Sequence, residues 1–294
     1  MGTVPQAVKT LPVSGARPRQ PPRAYGFIGA GLVIIMLLVA CAIGAPLLAP
    51  QDPYLIGAEF NASPDKKHLL GTDSIGRDVL SRLIYASRVS ISVGLSSVAL
   101  ATTLGIVLGL EAGYFGGFAD MLIMHIADVF LAFPSMLLII VISSLVGSGL
   151  SQLIIVMGLL GWPAVARLTR GSVLSIKQLD YTKAAIAMGF SSQRILFFHI
   201  LPNLAGPVFV QAAFGVARAI LVESSLSFLG LGVNPPTSSW GNMLTDAQSL
   251  TTLTTRPWLW IPPGLLILLS VLAFNLLGDA LHDALELGNR KSTQ

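Results

Sequence analysis

Residues 25–48 read YGFIGAGLVIIMLLVACAIGAPLL, a stretch in which no side chain carries a charge. A helix of about 20 apolar residues is long enough to cross the hydrocarbon core of a bilayer. A cleavable signal peptide has an apolar stretch of only about 7–15 residues, so this stretch predicts a helix that stays in the membrane. It contains the only cysteine of the chain, Cys41, and no disulfide can therefore form within the chain.

Similar apolar blocks follow along the rest of the 294-residue chain. They cover residues 90–110, 121–145, 153–168, 207–231 and 257–281. Charged residues make up only 11% of the chain, and the mean hydropathy is +0.75, whereas roughly a quarter of the residues in an average soluble domain are charged. We therefore predict an all-α integral membrane protein with six transmembrane helices.

The distribution of basic residues predicts the orientation of these helices. An even number of spans puts both termini on one side, and the positive-inside rule makes that side cytoplasmic. The residues that decide this are Lys9, Arg17, Arg19 and Arg23 before the first span, Arg170, Lys177, Lys183 and Arg194 between spans four and five, and Arg290 and Lys291 after the last. Five basic residues in the first external segment are partly balanced by acidic neighbours. The net charge of +4 thus reflects topology, and no basic stretch interleaved with aromatics indicates nucleic-acid binding.

This reading divides the chain into four parts. Residues 1–23 are rich in Pro, Gln and Arg, which predicts a disordered cytoplasmic tail. Residues 24–89 comprise the first transmembrane helix and an external segment. Residues 90–287 form a core of five transmembrane helices that includes a long cytoplasmic loop at 171–203, and residues 288–294 form a second cytoplasmic tail.

The loop contains the most informative stretch, DYTKAAIAMGFSSQRILFFHILP at 180–202. Ala184, Ala185 and Met188 lie at helical spacing, which predicts a short helix with a face of small residues. Gly189 permits a sharp turn after it, and a second amphipathic turn is expected to end at Pro202. Such a helix could be a rigid lever in the groove of a motor protein, or it could lie on the lipid surface. The residue pattern favours neither.

This stretch resembles the loop shared by permease subunits of ATP-binding-cassette (ABC) importers. The family signature reads Glu-Ala-Ala, three residues, Gly, nine residues, and a hydrophobic-Leu-Pro ending. Ala184, Ala185, Gly189 and Leu201-Pro202 match it, with His199 next to the ending, whereas Lys183 stands where the family usually has Glu. The charge inversion at Lys183 bears on any ion pair made by the first position of the signature.

Further blocks resemble the dipeptide, oligopeptide and nickel branch of these permeases, in its second-permease type. They are LGTD at 70–73 with GRD at 76–78, GYFGG at 113–117, LSFLGLG at 226–232, SWG at 239–241 and NLLGD at 275–279. Their order makes the resemblance specific over residues 25–287. Within the branch, His125 and His282 replace residues that are commonly Arg.

The resemblance implies a type I ABC importer permease fold, in which an N-terminal helix precedes a five-helix core. It also implies a location in the bacterial inner membrane, a homologous permease as partner, two ATP-binding subunits that use ATP and Mg, and an external substrate-binding protein. The resembled loop would couple to the ATP-binding subunits through Lys183, Ala184, Ala185, Gly189, His199, Leu201 and Pro202. The implied substrates are dipeptides or oligopeptides, with nickel or another small solute as the alternative.

Charged residues inside span five are candidates for the translocation path. Arg218 and Glu223 lie within an apolar block, where a charge costs about 3 kcal/mol and usually faces a cavity or a partner. Their five-residue offset separates them by about 140° around a helix, so we do not expect them to pair. Ser224 and Ser227 lie near Glu223, which matches a family residue. A structural role at the interface with the sister permease is the alternative to substrate contact.

No motif in the sequence indicates catalysis or nucleotide binding. His68, His125, His199 and His282 lack the paired spacing of a zinc site, and neither a nucleophile elbow nor a phosphate loop is present. We therefore expect no metal, no cofactor and no enzymatic activity in this chain. Asp279, His282 and Asp283 share a helix face, which we interpret as a solvated helix end. An ion-coupled carrier or an intramembrane enzyme is the alternative class, and it would require more charged residues near the membrane midplane.

Overall fold

The computed structural model describes the backbone of residues 24–291 and the side chains of residues 29–285 except residue 246. The predicted disordered tail at 1–23 lies outside the described residues. The predicted tail at 288–294 is described only as far as residue 291, where the last helix ends.

Helices form the regular structure of the described residues, with one isolated antiparallel bridge between Thr72 and Asp78. The α-helices are α1 Ala24–Ile43, α2 Ala45–Leu48, α3 Val79–Phe115, α4 Gly117–Ala132, α5 Ser135–Val146, α6 Leu150–Ile176, α7 Asp180–Ala187, α8 Ser192–Ile195, α9 Leu201–Phe228, α10 Trp240–Met243, α11 Leu250–Thr255 and α12 Ile261–Lys291. A π-helical turn covers Leu196–Ile200, and 3₁₀ turns cover Leu244–Gln248 and Pro257–Leu259.

Four helices of the described chain are long and apolar enough to cross a membrane. They are Val79–Phe115, Leu150–Ile176, Ser192–Phe228 and Pro257–Leu285. The pair α4 and α5 makes a fifth if it is counted as one broken span, and the apolar part of α1 with described side chains, Gly29–Ile43, is shorter than a full span. The prediction of an all-helical membrane protein is confirmed, whereas the count of six spans stays a prediction.

The predicted span at 121–145 is not one straight helix. It is bent by 91° between α4 and α5, at Phe133 and Pro134. Phe133 adopts an extended backbone with φ −98° and ψ 146°. Steric contact with a following proline disfavours the helical conformation, which explains why α4 ends there.

Small residues join α3 directly to α6. Gly105, Gly109 and Gly113 recur every fourth residue along α3 and face Val165, Thr169 and Val173 of α6. A Cβ atom at Gly109 would lie 2.6 Å from Cβ of Thr169, well inside van der Waals contact. Small residues let two helix backbones approach closely, as is common between membrane helices. The two helices therefore run parallel in direct contact.

The connections between helices define two sides of the bundle. We call the side that contains residues 177–200 the loop side, and the side that contains residues 49–78 and 229–256 the opposite side. The end of α3 lies on the loop side, where Nζ of Lys177 donates a hydrogen bond to the carbonyl oxygen of Tyr114 at 2.8 Å. The start of α3 lies on the opposite side, where Arg82 contacts Ser238. Because α1 leads towards residues 49–78 and α12 leaves residues 229–256, residue 24 and residue 291 both lie on the loop side.

The expectation that Pro202 ends a helix was wrong. The helix that begins at Ser192 continues through the π-helical turn into α9 and reaches Phe228. In the wide turn, the N–H of Leu201 donates to the carbonyl oxygen of Leu196, five residues earlier. Proline lacks an N–H and clashes with the carbonyl four residues before it. The π-helical turn shifts the hydrogen-bond ladder at that point, which lets Pro202 occupy the first turn of α9.

Candidate functional site

The short helix α7 ends in a glycine turn. The N–H of Phe190 donates to the carbonyl oxygen of Ala185 at 3.2 Å, and that of Gly189 to Ile186 at 2.9 Å. These two bonds form a Schellman motif, which requires a left-handed residue after the helix. Gly189 supplies it with φ +77°, a conformation that costs glycine little. The turn sends the chain directly into α8, capped by the side chain of Ser191.

One face of α7 packs against the chain itself. Thr182 and Ala185 are buried, and Ala185 belongs to a core cluster with Ile195, Ile200 and Leu204. The predicted single face of small residues was therefore wrong in part. Neighbouring helical residues point about 100° apart, and Ala185 consequently faces inward while Ala184 faces outward together with Met188.

The outer surface of the loop is strongly apolar. We call the exposed side chains of Tyr181, Ile186, Met188, Phe197 and Phe198 the loop patch. Met188 is 66% exposed and Phe198 is 74% exposed. Apolar patches of this kind mark surfaces that contact another protein or a membrane.

The other predicted loop residues surround the patch. Lys183 and Pro202 are exposed, and Leu201 is half-buried. The imidazole of His199 lies 6.2 Å from the ring of Tyr181, measured between centroids. The structure therefore brings the predicted coupling residues together on one side of the bundle, and their role in coupling stays a prediction.

Ionic contacts fix the loop side to the ends of the long helices. Nε and Nη2 of Arg170 donate to the two carboxylate oxygens of Asp120 at 2.5 and 2.7 Å, which joins α6 to α4. Lys177 lies 5.1 Å above the ring of Tyr114 and so contacts the end of α3. Lys177 therefore attaches the start of the loop to the end of α3, and Arg170 joins α6 to α4 shortly before the loop begins.

Glu223 lies at the centre of a buried network near the opposite side. Its two carboxylate oxygens accept hydrogen bonds from Oγ of Ser90 at 3.1 Å and from Oγ of Ser227 at 2.8 Å. Each hydroxyl in turn accepts a backbone N–H, Ser90 from Trp240 at 3.1 Å and Ser227 from Val233 at 3.3 Å. Two relays of hydrogen bonds thus join α3, α9 and the segment 233–240 through one carboxylate.

The predicted path residues of α9 separate into two environments. Glu223, Ser224 and Ser227 are buried within the chain. Arg218 is exposed and lines a cleft of about 190 Å³ between α3, α5, α6 and α9. Arg218 and Glu223 do not pair. Whether any of the four contacts substrate stays a prediction.

Sequence reasoning missed an exposed ion pair between α6 and α4. Arg167 of α6 pairs with Asp128 of α4, and more than half of each side chain is exposed. Both residues lie within apolar blocks, and this placement was the available signal. Exposed charges at such positions face a cavity or a partner, so the pair extends the polar surface between α4 and α6.

Ion pairs also organise the segment 49–78. Asp73 is fully buried and its Oδ2 accepts from Nε of Arg77 at 2.7 Å and from Nη1 of Arg82 at 2.5 Å. Nε of Arg82 reaches Oγ of Ser238 at 3.1 Å, which links this segment to 229–256. On the surface, the hydrogen bond to Glu59 raises the pKa of Lys67. These contacts pair three of the five basic residues between residues 66 and 88.

Among side chains 29–285, apart from residue 246, no three His, Cys, Asp or Glu residues lie close enough together to hold a metal ion. Asp279 and Asp283 are exposed on the loop half of α12.

Comparison with known proteins provides a functional context. Residues 102–291 match the family described as binding-protein-dependent transport system inner membrane component. The chain is 42% identical over 266 residues to a glutathione transport system permease protein of Pectobacterium atrosepticum, a match that covers 90% of this chain and 87% of that protein. It is 44% identical over 265 residues to a di/tripeptide transport system permease protein of Pseudomonas aeruginosa, with 87% and 86% covered. A dipeptide transport system permease protein of Alkalihalophilus pseudofirmus is 42% identical over 261 residues, with 87% and 84% covered.

Proposed function

The chain belongs to the family of binding-protein-dependent transport system inner membrane components and is a permease subunit of an ABC importer, and from this premise we propose that its loop patch docks an ATP-binding subunit. The observation that carries the proposal is the combination of an exposed apolar surface with a buried anchor. Met188 and Phe198 point away from the chain, while Ala185 and Ile200 hold the same segment to the long helices.

A rigid attachment distinguishes a lever from a helix that lies on lipid. A lipid-bound helix needs an apolar face but no fixed link to the bundle. Here the Gly189 turn fixes α7 against α8, and Lys177 and Arg170 tie the loop side to α3 and α4. A partner that displaces the loop patch therefore displaces the ends of the membrane helices.

We assign the remaining subunits by the same logic. A homologous permease pairs with this chain to enclose the translocation path, two ATP-binding subunits lie below the loops, and an external binding protein delivers substrate. ATP and Mg act in the ATP-binding subunits, and this chain itself catalyses no reaction. The loop side, with residue 24 and residue 291, faces the cytoplasm of a bacterium across its inner membrane, in agreement with the basic residues on that side.

The substrates we propose are dipeptides and oligopeptides. The relatives are named for dipeptide, di/tripeptide and glutathione transport, and all three terms denote short peptides or a peptide derivative. ATP binding would close the ATP-binding subunits and move the loops, so that the path alternates between its two sides. The cleft at Arg218 is the part of the path that this chain contributes.

Co-purification of the tagged chain from native membranes tests the assembly. We expect a second permease and ATP-binding subunits in the eluate. We expect Met188→Glu to reduce the recovered ATP-binding subunits at least about tenfold, because a charge at the centre of an apolar contact costs more than about 1.4 kcal/mol. The second permease should be recovered in full.

Gln193→Glu is the matched control, because Gln193 is an exposed residue of the same loop outside the loop patch. It should leave all recoveries unchanged. Undiminished ATP-binding subunits with Met188→Glu would refute the docking surface. A chain recovered alone would refute the assembly.

A further inference from the structure

The cleft beside α9 is lined by hydrogen-bond donors that the chain does not use. Arg218 and Gln211 lie seven residues apart on one face of α9, and Thr102 of α3 and Ser135 of α5 face them. Within the described part of the chain, none of these four side chains makes a hydrogen bond or an ion pair. The rest of the lining is apolar or small, apart from Ser97, whose hydroxyl donates to backbone carbonyls of its own helix.

The charge of Arg218 is not compensated inside the cleft. No acidic side chain is among the lining residues. By contrast, Arg167 and Arg170 of the neighbouring helix α6 pair with Asp128 and Asp120. A cation at membrane depth requires a polar or anionic partner to offset its desolvation. The guanidinium of Arg218 is exposed in the cleft and is therefore open to an anionic partner that enters it.

We propose that Arg218 is the anion-binding group of the translocation path and receives the terminal carboxylate of a transported peptide, assisted by Gln211, Thr102 and Ser135. This inference rests on the proposed function. A guanidinium binds a carboxylate through two parallel hydrogen bonds, and amide and hydroxyl donors complete the coordination. The cleft volume of about 190 Å³ is smaller than the roughly 300 Å³ of a pocket for a whole ligand. It therefore accommodates one end of a peptide and leaves the remainder in the path.

The first test uses charged thiol reagents to measure the electrostatic potential that Arg218 creates in the cleft. Cys41 is the only cysteine of this chain, so Cys41→Ala gives a chain free of thiols, and labelling is read on this chain alone after the subunits are separated. Val222→Cys then places a thiol on the cleft wall, one helical turn after Arg218. Thr251→Cys is the reference, because it is exposed on the opposite side and is not a lining residue. The complete complex in nanodiscs is treated with an anionic and a cationic methanethiosulfonate.

We compare the rate at which each reagent modifies the thiol. The ratio of the anionic to the cationic rate should be about tenfold higher at Val222→Cys than at Thr251→Cys, because one unit charge at this range changes the local potential by about that much. Arg218→Gln should abolish the gain, and Arg218→Lys should keep most of it. A ratio that Arg218→Gln does not change would overturn the proposal.

The second test identifies the ligand. A dipeptide with a free carboxylate should slow modification of Val222→Cys, whereas the same peptide with a C-terminal amide should protect much less. Equal protection by both peptides would overturn the carboxylate assignment. Loss of the co-purified second permease in Arg218→Gln would also overturn it, because the partner of Arg218 would then be an acidic residue of that subunit. Failure of the proposed function is distinguishable, since it would appear as missing ATP-binding subunits before any reagent is added.

Discussion

Replacement of Glu223 by glutamine tests whether one carboxylate holds the segment 233–240 in place. Glutamine keeps the shape of the side chain but converts one of the two acceptor oxygens into an NH₂ donor. Ser90 already accepts the N–H of Trp240, and Ser227 already accepts that of Val233, so each hydroxyl hydrogen must point at residue 223. With glutamine, one of the two hydroxyls faces a donor and loses its acceptor.

The magnitude follows from the loss of one relay. A hydrogen bond contributes about 0.5–1.5 kcal/mol, and a buried donor without an acceptor costs about 1–3 kcal/mol. The hydroxyl can rotate and recover part of this loss. We therefore expect the free energy that holds the segment 233–240 closed to fall by about 2–3 kcal/mol, a roughly thirtyfold to hundredfold rise in the open population.

Hydrogen–deuterium exchange with mass spectrometry on the purified complex measures this population through peptides that cover residues 229–243. Exchange of these amides should accelerate thirtyfold or more, while peptides of α6 keep their rates. Ser225→Ala is the control, because Ser225 lies on the same helix and its hydroxyl contacts only the carbonyl oxygen of Leu221. If the amides of residues 229–243 exchange at the same rate in Glu223→Gln and in Ser225→Ala, the carboxyl group of Glu223 does not hold the two chains of hydrogen bonds and the reasoning is refuted.

Two further substitutions test the loop and the helix packing. Gly189→Pro is expected to abolish transport and ATPase stimulation while the chain still inserts into the membrane. Proline is confined to φ near about −65°, whereas Gly189 has φ +77°. Undiminished uptake in membrane vesicles would refute the role of the loop as a lever. Gly109→Val is expected to destabilise the α3–α6 pair by about 1–3 kcal/mol through overpacking, seen as a lower midpoint of thermal unfolding. Gly171→Ala is the control, because Gly171 lies on α6, the partner helix of this pair, and a Cβ atom there meets nothing within 4 Å. It should not lower the midpoint, and equal midpoints for the two variants would contradict the packing.

The class of fold could be predicted from the sequence because the bilayer constrains it so strongly. An uncharged block such as 25–48 has few stable alternatives to a membrane helix. The loop at 180–202 could be recognised because Ala184, Ala185, Gly189 and Pro202 match the family signature within one short stretch, whereas the residue pattern alone favoured no role. In both cases the information is local in the chain.

The details that the sequence did not reveal depend on contacts across the chain. The orientation of Ala185 rather than Ala184 toward the core is set by Ile195 and Ile200, and continuation through Pro202 depends on the π-helical turn. The surroundings of Glu223 were equally out of reach, because Ser90 lies 133 residues away in the chain. The bend near 133–134 had a local signal in Pro134, but a proline alone does not determine the angle.

The continuity of the helix from Ser192 to Phe228 explains how the two sides of the protein can be linked. Its 37 residues span about 55 Å at 1.5 Å per residue. One end lies in the loop that carries the proposed docking surface. The other end carries Glu223 and Ser227, which hold the segment 233–240 on the opposite side.

Arg218 lies between these ends, on the face that lines the cleft. Because the helix is continuous from the loop to Glu223, we expect a tilt or rotation imposed at the loop to change the position of Arg218 and to strain the hydrogen bonds of Glu223. This geometry predicts different effects for two variants. Gly189→Pro should uncouple the loop while the amides of residues 229–243 keep their slow exchange, whereas Glu223→Gln should accelerate that exchange while ATP-binding subunits are still recovered. If either variant disturbed both sides equally, α9 would not be a lever between two separately anchored ends but part of a single cooperative unit.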